Sequence, residues 1–250
     1  MWLALTFALA APVHGTWVYA RQGLDTARMA LLEKSRTQSG LTELYVSVEA
    51  LPLDDPRSPA KMHQLKQAGL RIEALFDGED PEQWISRVLA FNRAQPDALS
   101  RFDGVHYDYE PWIGSGNNSA WVDRAVTMYN RASRALLDSR LVFSVDISGA
   151  KLAALSPSER MRLTRAAQRI VLMQYEAPIE RVQSRSASVL RSTDKSGATF
   201  LIALRVKDFH CETTRALQQV EAAQQATQAY SGWAIYEYED YASQCLAHSP

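Results

Sequence analysis

The stretch FDGVHYDYEPW, residues 102–112, alternates polar with bulky side chains in the middle of the chain. Side chains of a β-strand point alternately to its two faces, so this pattern predicts a strand over residues 104–110 with two unlike faces. One face carries the polar side chains His106, Asp108 and Glu110. The other carries Val105, Tyr107 and Tyr109, which we expect to pack against helices. A strand with its polar face turned inward indicates a functional site.

Seven similar runs of apolar, β-branched or aromatic residues flank this stretch, and segments with helical periodicity separate them. The predicted strands cover residues 16–20, 43–50, 70–76, 104–110, 140–147, 170–176, 198–206 and 232–239. Strand starts recur at intervals of roughly thirty residues, the length of a strand–helix unit. Eight such units predict an α/β protein with a single (β/α)8 barrel, the TIM-barrel fold, over residues 16–250. An open doubly wound sheet is disfavoured because no GxGxxG or GxxxxGK(S/T) loop follows any predicted strand.

One helical segment shows clear start signals. In DPEQWISRVLAFNRA, residues 80–94, Asp80 is a suitable N-cap and Pro81 occupies the first helical position. Trp84, Val88 and Phe91 then fall on one face. We therefore expect an amphipathic helix that packs this face against the barrel.

Composition limits the classes of function. The chain has 250 residues, 46% of them hydrophobic and 22% charged, with a formal net charge of −1. These values are typical of a globular protein, and the near-neutral charge gives no reason to expect a nucleic-acid partner. We expect no cofactor and a monomeric protein.

The first fifteen residues, MWLALTFALAAPVHG, resemble a secretory signal peptide, although no Lys or Arg precedes Arg21. We expect export to the periplasm or the exterior, with no membrane association after cleavage. The alternative is that residues 1–15 cover the bottom of the core. In an exported protein Cys211 and Cys245 are candidates for a disulfide, and the alternative is two free thiols.

Polar residues lie mostly near the ends of the predicted strands and less often at their beginnings. Active sites of (β/α)8 barrels collect at the carboxyl ends of the strands, a region we call the barrel mouth. The polar residues that this rule places at the mouth are Glu49, Asp77, Asp108, Glu110, Asp146, Gln174, Glu176, Arg205 and Glu237.

Asp108 and Glu110 are next neighbours on one strand face, about 6.5–7 Å apart at Cα, so their carboxyl groups can share a proton. Two coupled carboxylates resist double ionisation, and one can stay protonated near neutral pH, as a general acid requires. A metal site that includes His106 is disfavoured, since His106 and Glu110 are ~13 Å apart at Cα and metal–ligand bonds are near 2 Å. A purely structural carboxylate pair remains the alternative.

Three segments resemble the glycoside hydrolases of family 18, the chitinases and endo-β-N-acetylglucosaminidases. The fourth-strand signature of that family is Asp-Gly-x-Asp-x-Asp-x-Glu, and this chain has DGVHYDYE at residues 103–110. The sixth-strand signature is Met-x-Tyr-Asp, and residues 173–176 are MQYE. The eighth strand of the family has Gly followed four residues later by an aromatic residue, as Gly232 is followed by Tyr236.

The resemblance implies a hydrolase for glycans that contain N-acetylhexosamine, with Glu110 as the acid that protonates the glycosidic oxygen. It implies no enzyme nucleophile, because the acetamido group of the substrate attacks its own anomeric carbon. Asp108 would orient that group and Tyr175 would hydrogen-bond its oxygen. The expected substrate-binding residues are His106, Trp112, Asp146, Gln174, Glu176, Tyr236 and Glu237, with Tyr236 and Trp112 as stacking platforms.

The chain departs from the family pattern at three positions: His106 replaces an acid, Glu176 replaces Asp, and Tyr236 replaces the usual Trp. Two alternatives therefore stay open. One is a carbohydrate-binding barrel without turnover. The other is a barrel glycosidase with a second carboxylate as nucleophile or base, for which the candidates are Asp146, Glu176 and Glu237. A Schiff-base aldolase would use a buried strand lysine, and Lys207 lies just past the seventh strand. The sequence contains no GxSxG motif, so nothing indicates a serine hydrolase of that type.

Overall fold

The computed structural model describes residues 11–19, 23–115, 118–176, 178–224 and 226–246. Eight parallel strands pair in chain order, and the eighth pairs with the first to close the barrel. The strands are β1 (Val13–Val18), β2 (Glu43–Ser47), β3 (Arg71–Phe76), β4 (Gly104–Tyr107), β5 (Val142–Ser148), β6 (Arg169–Met173), β7 (Thr199–Arg205) and β8 (Tyr230–Tyr236). The predicted (β/α)8 barrel is confirmed.

Helices between the strands cover the outside of the barrel. They are α1 (Thr26–Ser39), α2 (Ser58–Gln67), α3 (Pro81–Ala94), α4 (Asn118–Ala135), α5 (Gly149–Ala154), α6 (Pro157–Thr164), α7 (Ile179–Thr193), α8 (Val206–Phe209), α9 (Thr213–Gln224) and α10 (Tyr238–Tyr241). In α3 the Asp80 side chain accepts from the Gln83 amide at 3.4 Å, so the predicted N-cap is confirmed. Val88 and Phe91 are buried as expected, whereas Trp84 is only partly buried.

The core has two layers that follow the alternation of strand side chains. Val105 and Tyr107 of β4 pack outward in the layer shared with the helices. His106, between them, points into the barrel, where Tyr45 stacks on its ring at a centroid distance of 4.0 Å. The apolar part of the interior consists of Trp17, Tyr45, Leu75, Val171, Leu201, Ala203 and Ala234.

A buried ionic cluster fills the lower part of the barrel interior. Arg169, at the start of β6, forms ion pairs with Glu43 of β2 and, at 3.1 Å, with Glu73 of β3. Burial and the neighbouring Glu73 raise the pKa of Glu43 to about 7, although Arg169 opposes the shift. Buried charges of this kind are tolerated only when they are paired. This cluster was not predicted from the sequence.

Strand β1 begins at Val13, three residues before the predicted start. Val13 pairs with Gly232 and Gly15 pairs with Ala234, so residues 13–15 are part of the closed barrel. The barrel thus begins before the expected boundary at residue 16. Residues 1–10 of the expected leader lie outside the described residues.

Cys211 and Cys245 form a disulfide with a Cα–Cα distance of 5.3 Å. It joins the segment between β7 and α9 to the segment that follows α10. Of the two alternatives for these cysteines, the structure contains the disulfide. Within the described residues, none of the helices combines the length and the apolar character that a membrane span requires.

Candidate functional site

The barrel mouth gathers the candidate acids from two adjacent strands. Strand β4 ends at Tyr107, earlier than predicted, but the Asp108 amide still donates to the Phe76 carbonyl at 3.0 Å, so the chain stays extended. Tyr107 pairs with Val145 of β5, and this register places the next residues, Asp108 and Asp146, side by side. Carboxyl groups from β4 and β5 therefore meet at one point.

Asp146 is the most connected of these acids. Its Oδ2 accepts hydrogen bonds from the Trp17 indole at 3.0 Å and from His106 Nε2 at 2.8 Å. Its other oxygen, Oδ1, is buried and has no hydrogen-bond partner. Asp146 is itself fully buried, so it acts on the mouth electrostatically, through the charge of its carboxylate near Asp108 and Glu110.

His106 lies directly beneath the mouth, between two acids. Its Nε2 contacts Asp146, and its Nδ1 is 3.6 Å from Glu73 Oε2. Burial disfavours the charged ring, but Asp146 and Glu73 outweigh it and raise the pKa of His106 to about 10. His106 is fully buried, which corrects the expectation that it binds substrate. It contributes a positive charge where the family signature has an acid.

Asp108 lies at the inner end of the mouth. Its Oδ2 accepts from the Tyr19 hydroxyl at 3.3 Å, while its Oδ1 is buried without a hydrogen-bond partner. Burial, then Asp146 and Glu110, raise the pKa of Asp108 well above its usual range. Asp146 thus joins Asp108 and Glu110, so the expected pair of acids is a group of three.

Glu110 is more accessible than Asp108 and Asp146. Burial raises its pKa, and the nearby Asp146 charge raises it further, while a hydrogen bond from the Trp112 indole lowers it. Trp112 is only 5% exposed and its ring meets Trp121 edge-on at 5.6 Å. Trp112 is therefore not the sugar platform that we expected; its side chain hydrogen-bonds the Glu110 carboxyl.

Tyrosines line the opposite side of the mouth. Tyr175, after β6, has a buried hydroxyl with no hydrogen-bond partner, and burial and Asp146 hold its pKa well above the usual value. The Tyr236 ring, at the end of β8, lies 4.9 Å from Tyr175 and 5.5 Å from Trp17. Arg205 lies 5.5 Å from the Tyr175 ring centre. Tyr175 and Tyr236 are thus brought together with Asp108 and Asp146.

Two of the remaining candidates, Gln174 and Glu176, contact α7 instead of this centre. Gln174 points toward the helices, where it bonds Ser186 at 3.1 Å and Arg185 at 3.2 Å. This corrects its assignment to the mouth, and the reason is strand alternation: Tyr175 points inward, so Gln174 points outward. Glu176 is ion-paired with Arg181 and Arg185 of α7. Glu237 is partly buried at the N-terminus of α10.

A cleft of about 480 Å³ opens beside Asp108 at the ends of β1 to β4. The residues that line it are Tyr19, Ser47, Val48, Glu49, Leu75, Phe76, Asp77, Trp84 and Asp108. Tyr19 and Trp84 were not predicted as site residues; for Tyr19 the available signal was an aromatic residue near the carboxyl end of the predicted strand over residues 16–20.

The described residues offer neither a metal site nor a strand lysine. In the part of the chain that the structure describes, no three His, Cys, Asp or Glu side chains are grouped to hold a metal ion. None of the eight strands contains a lysine, and Lys207 lies exposed in α8. The barrel interior therefore lacks the amine that a Schiff-base mechanism uses.

Comparison with known proteins identifies the fold but no family. No protein-family model matches the chain, and no curated protein matches it either. Among solved structures, a GH18 chitinase from Pseudoalteromonas aurantia superposes with a TM-score of 0.62 at 9% identity, over 93% of this chain and 96% of that one.

Other solved structures with this fold have different activities. A putative deoxyribose-phosphate aldolase from Toxoplasma gondii gives a TM-score of 0.62 at 11% identity, over 94% of this chain and 93% of that one. An endo-beta-N-acetylglucosaminidase from Cordyceps militaris gives 0.55 at 13% identity, over 90% and 81%. Glycoside hydrolases and aldolases share the barrel, so these similarities establish the fold alone.

Proposed function

We propose that the protein is a glycoside hydrolase that acts on a glycan containing N-acetylhexosamine, with Glu110 as the general acid. The observation that carries the proposal is the position of Glu110: a half-buried carboxyl group at the barrel mouth whose pKa is raised by burial and by Asp146. A carboxyl group with a raised pKa stays protonated closer to neutral pH, where it can protonate a leaving oxygen.

The proposed reaction needs no enzyme nucleophile. Glu110 gives its proton to the glycosidic oxygen while the bond from that oxygen to the anomeric carbon breaks. The acetamido oxygen of the same sugar forms the new bond to the anomeric carbon, which produces an oxazolinium ion. Water then attacks that carbon, Glu110 accepts the proton of the water, and the acetamido group is restored.

Two buried polar atoms without partners support this role for the mouth. Asp108 Oδ1 can accept a hydrogen bond from the acetamido N–H, and the Tyr175 hydroxyl can donate to the acetamido oxygen. Buried polar atoms are normally paired, so two such atoms beside Asp146 suit a site that a polar ligand completes.

The position of Asp146 supports turnover over the binding-only alternative. The family signature has an acid where this chain has His106, but Asp146 of β5 lies beside Asp108 in the register. An acid therefore still neighbours Asp108, although it comes from the next strand. The cationic His106 bonds that acid and holds it in place.

The proposal is tested by screening wild-type protein, Glu110→Gln and Glu180→Gln against a panel of N-acetylhexosamine glycans. Glu180 is an exposed acid in the first turn of α7 and serves as the matched control. We expect turnover by the wild type and Glu180→Gln, and a loss of about 10²–10⁴-fold in Glu110→Gln. Equal turnover by all three proteins contradicts the assignment of Glu110.

A thiazoline analogue of the cyclised intermediate separates the acetamido mechanism from one with a second carboxylate. Asp146 Oδ2 is already occupied by two donors, and Glu176 is paired with arginines, which disfavours both as nucleophiles. We expect the thiazoline to inhibit competitively. A protein that hydrolyses the glycan and ignores the thiazoline uses the second-carboxylate route.

A further inference from the structure

The cleft beside Asp108 has an acidic rim that the reaction at Glu110 does not use. Glu49 follows β2 and Asp77 follows β3, and both side chains are exposed where these adjacent strands open to solvent. Asp108 closes the inner end of the cleft, and its Oδ1 is buried without a hydrogen-bond partner. The cleft therefore presents carboxyl groups at both ends.

No basic side chain lines this cleft within the described part of the chain. Arg87 lies 4.6 Å from the centre of the Trp84 ring, but it is not among the lining residues. A cleft lined by charges of one sign concentrates ligands of the opposite sign. The ligand expected from the charge alone is a cation.

The walls of the cleft add a second requirement. Tyr19, Phe76 and Trp84 contribute aromatic surface, and Ser47 contributes a hydroxyl group. Aromatic rings provide flat apolar contact area and a face that attracts cations. A volume of about 480 Å³ accommodates a ligand of one to two sugar units. Aromatic walls with an acidic rim suit a sugar that carries a positive charge.

We propose that this cleft is a subsite for a hexosamine unit whose amine is free and protonated, so that the substrate is a partly de-N-acetylated glycan. Glu49 and Asp77 bind the ammonium group, and Trp84 and Phe76 contact the sugar ring. The placement of this subsite next to the cleaved unit rests on the proposed function. The preference for a free amine rests on the cleft alone.

Binding is measured by calorimetry in the Glu110→Gln background, so that no ligand is consumed. The probes are glucosamine tetrasaccharide and N-acetylglucosamine tetrasaccharide. The site variant carries Glu49→Gln and Asp77→Asn, and the matched control carries Glu180→Gln and Glu212→Gln, two exposed acids far from the cleft. Both double variants lose the same net charge.

We expect the glucosamine chain to bind about tenfold more tightly than the acetylated chain, and more weakly as salt is added. The site variant should lose this preference and the control variant should keep it. Equal affinity for the two chains, or equal losses in the two double variants, overturns the inference. The proposed function is tested separately: it fails if the wild type hydrolyses none of the glycans or if Glu110→Gln keeps wild-type turnover.

Discussion

His106 is held between Asp146, at 2.8 Å, and Glu73, at 3.6 Å, and these two acids keep its ring charged. Below it, Arg169 forms ion pairs with both Glu43 and Glu73. The barrel interior therefore alternates acids and bases from its lower end to its mouth. This arrangement explains how Asp108, Glu110 and Asp146 lie close together in a protein whose interior is otherwise apolar.

Stability should fall as the pH rises from about 7 to about 10, because His106 titrates at about 6.5 when unfolded and at about 10 when folded. A raised pKa stabilises the fold fully below the unfolded value and loses that contribution as pH rises through the folded value. The total is at most about 5 kcal/mol. Urea unfolding at several pH values should show this slope in the wild type and a much smaller slope in His106→Gln. Equal pH slopes of the unfolding free energy in the wild type and in His106→Gln would contradict a charged His106.

Replacement of Asp146 by Asn should shift the pH profile of activity. Burial and the Asp146 charge raise the pKa of Glu110, so removing the charge should move the basic limb of kcat/KM toward acid. Asn keeps an oxygen that can accept from Trp17 and His106. A variant with lower activity but an unmoved basic limb would show that Asp146 has only a structural role.

Single-residue orientation was predictable where strand alternation applied. Alternation places His106 inward and Tyr107 outward, and both are confirmed. The same rule applied to β6 excludes Gln174 from the mouth once Tyr175 is placed inward. The position of Asp146 beside Asp108 was not predictable, because it depends on the register between two strands, which neither sequence segment encodes alone.

At the scale of elements, the closure of β8 against β1 depends on Gly232. Its φ is 141°, and a Cβ built there would overlap the carbonyl oxygen of Val13. Gly232→Ala should therefore cost about 2–4 kcal/mol of stability. Gly197→Ala is the control, because φ is 84° there but nothing lies within 4 Å of the added Cβ. The melting temperature of Gly232→Ala should lie well below that of Gly197→Ala. Equal melting temperatures would contradict the close approach of β8 to β1 at Gly232.

The existence and order of the elements were predictable, and their ends were less so. All eight strands lie within or next to the predicted runs because buried parallel strands form continuous apolar segments. The predicted strand over 104–110 ends at Tyr107, since ladder pairing depends on where the neighbouring strand ends. The start of β1 was predicted three residues too late because its first residues directly follow the apolar N-terminal segment in the sequence.

The (β/α)8 barrel as a fold does not identify the activity of the protein. Its structural neighbours include a chitinase, an endo-β-N-acetylglucosaminidase and an aldolase, all at 13% identity or less. The mouth favours the proposed hydrolase, because it brings acids with raised pKa values together with buried tyrosines, and none of the eight strands carries a lysine. The proposed function therefore depends on the role of Glu110 as the general acid.

The most direct test of that role compares leaving groups in wild type and Glu110→Gln. An N-acetylhexosaminide with a dinitrophenyl leaving group needs no protonation, whereas the natural alcohol leaving group does. We predict that Glu110→Gln lowers the bond-cleavage rate by about 10²–10⁴-fold for the alcohol and far less for the dinitrophenyl compound. Equal losses for the two substrates would contradict general-acid catalysis by Glu110.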